Sequence, residues 1–76
     1  MERFLLLTTT TEPMLASTTC EMLETAGIPL LIQHIDIVEG NHRAPGFKLM
    51  VPSEHTQSAM RLVELAHGRL RREFEN

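Results

Sequence analysis

The stretch LLIQHIDIVEGNHRAPGFKLMV, residues 30–51, decides the fold that the sequence predicts. Residues 30–38 are rich in aliphatic and β-branched side chains, which is typical of a strand. Residues 39–46 combine glycine, asparagine and proline, so we predict a connection longer than a tight hairpin. Residues 47–51 have an apolar side chain at every second position and form the next strand, with one face directed to the core.

Two elements precede this stretch. Residues 3–10 (RFLLLTTT) are aliphatic and β-branched, so we predict a first strand that is apolar on both sides. A helix over residues 12–26 follows, and Thr11 is its predicted N-cap residue. Gly27 ends this helix, because glycine readily adopts the left-handed conformation that closes a helix.

A second helix is predicted over residues 53–74. Pro52 and Ser53 end the preceding strand and begin the helix, and an apolar stripe then repeats at helical spacing. Gly68 lies opposite this stripe and weakens the helix by about 1 kcal/mol relative to alanine. Fraying of the helix after Ala66 is therefore an open alternative.

The order of these elements, β-α-β-β-α, predicts a single α+β domain over residues 1–76. The simplest crossover puts the third strand between the first two and antiparallel to them, as in a ferredoxin-like split βαβ unit. We therefore predict a three-stranded sheet of order 1-3-2 with both helices on one face. A chain this short buries only about 60% of its unfolded surface, so self-association would add useful burial.

Charge and cysteine content exclude several classes of function. Seven Lys and Arg stand against ten Asp and Glu, a net charge of −3, so no positive field attracts nucleic acid. The single cysteine, Cys20, cannot form an internal disulfide, which predicts a reducing compartment and hence the cytoplasm. No apolar run approaches the roughly 20 residues that span a membrane.

Several segments resemble one known family. These are FLLLTTTTEP, LETAGIPLLI, the glycine-containing loop before FKLMVP, and the Pro-Ser-Glu start of the last helix. They are similar to a bacterial family of small domains of unknown function, described as signal-transducing, whose fold is likened to that of the nitrogen-regulatory PII proteins. The similarity extends over about residues 3–70. It implies signalling or partner binding without enzymatic activity, and it brings no ligand, cofactor or catalytic residue.

The predicted fold has a helix-free sheet face and a polar loop beside it. Glycine, histidine and arginine in residues 39–46 could direct N–H groups at an anion. We therefore predict a non-enzymatic interaction or sensing module that binds a protein partner or a small anionic effector through the face and the loop. The predicted binding residues are His34, Asp36, His42, Arg43, Lys48 and Met50.

The first strand suggests a second function. It has an unpaired edge in the predicted topology, and Leu5 and Leu7 give it an apolar side chain set directed away from the helices. Proteins rarely leave such edges open, so we predict a homodimer that forms through the edge or the open face. A structural homodimerisation domain without a further ligand is therefore the alternative function.

Histidines and Cys20 raise a third alternative, a metal-binding domain. The spacing contains no C-x-x-C or H-x-x-x-H pair, and His34 with Asp36 supplies only two ligands. Cys20 lies in the middle of the predicted helix, away from the N-terminal setting that lowers the pKa of a thiol. We therefore predict no metal, no cofactor and no catalytic residue.

Overall fold

The computed structural model describes residues 3–74 and has the predicted element order. The strands are β1 (Phe4–Thr10), β2 (Leu31–Glu39) and β3 (His42–Pro52), and the helices are α1 (Pro13–Thr25), a 3-10 turn (Ser53–His55) and α2 (Thr56–Phe74). β3 lies between β1 and β2 and pairs antiparallel with both. The α+β class and the strand order 1-3-2 are therefore confirmed.

β3 shows which side of the sheet the helices cover. Leu49 and Val51 are completely buried, at 0% exposure. Val51 belongs to one apolar cluster with residues of both helices. The cluster consists of Leu7, Leu23, Ile28, Val51, Ala59 and Val63. Because successive residues of a strand point to opposite sides, Lys48 and Met50 lie on the other face, which neither helix covers.

β1 contains a bulge that changes one sequence prediction. Its pairing with β3 shifts between Leu6 and Thr8. Leu5 pairs with Val51 and so lies on the helix side, and Leu7, within the bulge, is buried in the core cluster. The placement of Leu5 and Leu7 on a helix-free face was therefore wrong, because both strand faces are apolar and apolar character alone does not show which one is covered.

α1 begins one residue later than predicted. Glu12, rather than Thr11, is the N-cap residue, and Pro13 occupies the first turn. Proline disfavours helical conformation in the residue before it, and Glu12 is extended, with φ −91° and ψ 107°. The backbone N–H of Glu12 donates to the hydroxyl of Thr10 at 3.0 Å. The fixed φ of Pro13 therefore determines where the helix starts.

α1 ends at Thr25, one residue before the predicted end, and Gly27 closes it as the sequence predicts. Gly27 has a φ of 74°, and its N–H donates to the carbonyl of Glu24 at 3.0 Å. The N–H of Ile28 donates to the carbonyl of Leu23 at 2.9 Å, which completes a Schellman motif. Ile28 is buried beside Leu23 in the core cluster. The turn therefore both ends the helix and returns the chain to the sheet.

α2 continues past Gly68 to Phe74, so the fraying alternative does not apply. The predicted start at residue 53 corresponds to the 3-10 turn, and the hydroxyl of Thr56 donates to the carbonyl of Ser53 at 3.0 Å. In the described range of the chain, neither helix is long and apolar enough to cross a membrane.

The connection between β2 and β3 is much shorter than predicted. Glu39 pairs with His42, which leaves only Gly40 and Asn41 in the turn. Gly40 has a φ of 58°, the positive angle that a type II′ turn needs at its first central position. The prediction of a long loop over residues 39–46 was therefore wrong, because Gly-Asn alone makes the turn.

Pro45 misled the sequence prediction because proline is unusual inside a central strand. β1 pairs with β3 only as far as Thr10 with Phe47. At Pro45, within the described residues, β3 is therefore paired with β2 alone and is itself an edge. An edge tolerates the missing N–H of proline.

We expect the same substitution at two glycines to change stability in opposite directions. An alanine at Gly27 must adopt a φ of 74°, which costs roughly 1–2 kcal/mol for an L-residue. At Gly68 a Cβ would meet no atom within 4 Å, and helix propensity favours alanine by about 1 kcal/mol. Urea denaturation of Gly27→Ala and Gly68→Ala measures both effects, and two changes of the same sign would contradict these helix assignments.

Candidate functional site

The helix-free side of the sheet, called the open face below, is mainly apolar. Met50 pairs with Leu6 on β1 and with Leu31 on β2, so the three side chains form a row across all strands. Leu6 is 55% exposed and Leu31 is 47% exposed. By the same register, the open face also contains Phe4, Ile35, Ile37, Ala44 and Gly46. This surface is the main candidate for binding.

The open face has few charges. Lys48 lies near its centre, is half-buried, and pairs with Thr9 and Gln33. Glu39 and His42 pair with each other at the turn end of the face. Among the described strand positions of the open face, Lys48 and Glu39 carry the formal charges, and they are of opposite sign.

Gly46 allows the strands to pack closely on the open face. It is buried, and a Cβ at this position would lie 2.5 Å from Cδ1 of Ile37 and 3.1 Å from the carbonyl oxygen of Thr10. Because no side chain projects from Gly46, Ile37 can lie across β3. Glycine is therefore favoured here by packing rather than by backbone conformation.

His34 and Asp36 do not lie on the open face. His34 pairs with Phe47 and Asp36 pairs with Pro45, so both lie on the helix side with Leu49. The prediction that they share one face with Lys48 and Met50 was wrong. The error arose because β2 is an edge strand with apolar side chains exposed on both faces, so its hydrophobic pattern does not identify the covered side.

His34 is exposed but has one ordered neighbour. Its ring meets the ring of Phe47 in a tilted, edge-type contact, with centroids 5.2 Å apart and an angle of 60° between the planes. Such contacts favour one orientation of the imidazole. Asp36, also exposed, follows on the same side of β2.

His42 and Arg43 belong to β3 rather than to a loop. His42 pairs with Glu39 on the open face, whereas Arg43 pairs with Val38 on the helix side. Successive strand residues point to opposite faces. The two side chains therefore do not converge on one anion, and the predicted loop site loses its geometric basis.

Cys20 lies beside a cleft between α1 and the start of β2. The cleft has a volume of about 370 Å³ and is lined by Cys20, Glu24, Ile28, Pro29, Leu30 and Ile32. Burial raises the pKa of the Cys20 thiol, and the nearby Glu24 carboxylate raises it further. Because the thiolate is the nucleophilic form, Cys20 is poorly suited to nucleophilic chemistry at neutral pH.

Metal-ligating side chains are dispersed over the molecule. Within residues 3–74, no three His, Cys, Asp or Glu side chains form a group that could hold a metal ion.

Comparison with known proteins does not identify this chain: no family model, no curated protein and no solved structure matches it. The resemblance to PII-like signalling domains therefore stays a prediction. The surfaces of the molecule are therefore the basis on which we infer its function.

Sequence reasoning missed Leu6 and Leu31 as members of the candidate site. A signal that could have found them is the Gly40-Asn41 pair, since a two-residue turn determines the register of the strands that it joins. Counting back from Glu39 and His42 puts Leu31 beside Met50.

Substitution of Gly46 tests the packing of the open face. We expect Gly46→Ala to lower the free energy of unfolding by roughly 1–3 kcal/mol, because the new Cβ overlaps the side chain of Ile37. In an Ile37→Val background, which lacks Cδ1, the same change should cost clearly less. Denaturant unfolding of the four proteins measures the coupling, and equal costs in both backgrounds would contradict the contact.

The raised pKa of Cys20 predicts slow alkylation. At pH 8 the native chain holds less thiolate than the unfolded chain, so iodoacetamide should react more slowly without urea than with it. Glu24→Gln removes one cause of the shift and should speed the native reaction. Because folding favours the neutral thiol, the stability that Cys20 contributes in this way is present below its ordinary pKa of 9.0 and is lost as the pH rises through the raised value. Equal alkylation rates in both states would argue against the shift.

Proposed function

We propose that this chain is a non-enzymatic protein-interaction module that binds a partner protein through its open face. The observation that carries the proposal is the row of Leu6, Met50 and Leu31 across all three strands, in which Leu6 and Leu31 are exposed and Met50 is half-buried. Contiguous apolar surface of this kind marks interaction sites, whereas single exposed apolar residues are ordinary.

The dimensions of the open face support a protein partner. The β2–β3 ladder has nine residue pairs, which corresponds to a length of about 30 Å over two strands, and the seven residues of β1 add about 23 Å of a third strand, with strands about 4.8 Å apart. The resulting planar area is about 400 Å², which lies within the range of functional patches on monomers. The accessible surface of the projecting side chains is larger than this flat area and so comes closer to the roughly 800 Å² that each partner buries in a standard interface.

The distribution of charge supports a protein over a small anionic effector. Lys48 is one cation in an apolar surface, and Arg43 lies on the opposite side of the sheet. A small anion is usually held by several converging donors. A partner with an apolar surface and one carboxylate opposite Lys48 fits these groups better.

Other features support a binding role rather than catalysis. The raised pKa of Cys20 disfavours the nucleophilic thiolate. The resemblance to signal-transducing domains supports a signalling role, and the single cysteine supports a reducing compartment such as the cytoplasm.

A structural homodimerisation domain is the second candidate. Lys48 and Glu39 lie at different positions along the open face and have opposite charge. Two copies laid face to face with antiparallel strands could therefore oppose unlike charges while covering the apolar rows. In that case the open face would have no further ligand.

Site-specific photo-crosslinking in the expressing cell tests the proposal. A benzophenone amino acid at Leu6 should give a discrete adduct, and the same probe at Leu65, an exposed residue of α2, should not. Met50→Lys should abolish the adduct while the circular dichroism spectrum stays that of the folded chain. Mass spectrometry distinguishes a different protein from a second copy. Equal adducts from both probes, or none from Leu6, would contradict binding at the open face.

A further inference from the structure

The outer edge of β2 differs from that of β1. β2 pairs with β3 over nine residues without a register shift, and no strand of the described chain lies on its other side. β1 contains a bulge, a feature that blunts edge pairing. From Leu31 to Glu39 there is no proline, lysine or bulge. β2 therefore presents a regular row of backbone donors and acceptors.

Apolar side chains of β2 are exposed on the helix side as well. Ile32 is 46% exposed and Val38 is 58% exposed, although both lie on the face that α1 and α2 cover at β3. The helices therefore do not extend over this edge. A neighbouring strand would shield these side chains as well as pair with the backbone.

We propose that β2 pairs antiparallel with β2 of a second copy of this chain, about a twofold axis through Ile35. The two sheets then form one continuous six-stranded sheet with all helices on the same side. An axis perpendicular to the sheet keeps the helix sides together, so residues that face each other across the new edge lie on the same face of the sheet.

On the helix side of the sheet, the side chains of β2 are complementary to themselves in this register. With Ile35 at the axis, His34 lies opposite the partner's Asp36, and Asp36 lies opposite the partner's His34. On the same side, Ile32 lies opposite the partner's Val38. An acidic side chain thus faces an imidazole, and an apolar side chain faces an apolar one. The twofold axis repeats both pairs, and cross-strand pairs of these kinds stabilise a sheet.

Shifted registers lose this complementarity. A shift of two residues in one direction puts Asp36 opposite the partner's Asp36, so like charges meet. A shift of two in the other direction puts His34 opposite the partner's His34 and Ile32 opposite the partner's Asp36. The contact of His34 with Phe47 also holds the imidazole on the helix side, where the pairing requires it. The Ile35-centred register is therefore the one that the side chains specify.

This inference does not depend on the proposed function. Edge pairing uses the backbone of β2 and its helix-side residues, and it leaves the row of Leu6, Met50 and Leu31 uncovered. In the dimer the two open faces lie side by side as one larger surface.

Charge exchange at His34 and Asp36 tests the edge dimer, because both side chains are exposed and lie outside the core cluster. Sedimentation of the native chain at increasing concentration should show a reversible monomer–dimer equilibrium. His34→Asp opposes carboxylates across the axis, and Asp36→Lys opposes an ammonium group and an imidazole. Each variant alone should weaken dimerisation by about tenfold or more. A mixture of the two should recover a heterodimer, since each acid then faces a base.

Leu6→Asp is the matched control on the open face and should leave the edge dimer intact. A chain that stays monomeric at all concentrations would overturn the proposal. So would a dimer that tolerates both charge variants, or a mixture that does not recover association. Dissociation by Leu6→Asp alone would assign the dimer to the open face instead. If the benzophenone probe at position 6 gives no crosslink while the edge dimer is intact, the proposed function is contradicted and the edge dimer is not.

Discussion

The burial of Leu49 and Val51 beneath the two helices is the constraint on which the rest of the structure depends. Each such side chain contributes about 1.5–3 kcal/mol when it is removed from water. Because side chains alternate along β3, this burial assigns Lys48 and Met50 to the other face, and the paired registers extend that assignment to β1 and β2. The identity of the open face therefore follows from two core residues on one strand.

The sheet extends further than the helices that cover it. Both helices pack on β1 and β3 around Val51, whereas β2 has exposed apolar side chains on both sides, such as Leu31 on the open face and Ile32 on the helix side. The chain consequently has two surfaces of different kinds. One is the flat, apolar open face, and the other is a regular strand edge with its own side-chain pattern. Short domains gain more from covering such surfaces than large ones, since they bury a smaller fraction of their chain.

Local signals predicted most of the fold. Gly27 followed by Ile28 predicted the end of α1, and alternation over residues 47–51 predicted the buried face of β3. The prediction failed where tertiary context overrides a local signal. Pro45 argued against a strand, but β3 is an edge at that point and tolerates it.

The candidate site was predicted less well than the fold. Lys48 and Met50 lie on the open face, but His34 and Asp36 do not. Hydrophobic pattern cannot distinguish the two faces of a strand that is apolar and exposed on both. Measurement of methyl–methyl nuclear Overhauser effects tests the assignment of faces most directly. We expect cross-peaks from Val51 to Leu23 and Ala59 and none from Met50 to either helix. Cross-peaks from Met50 to the helix methyl groups would contradict this assignment of faces.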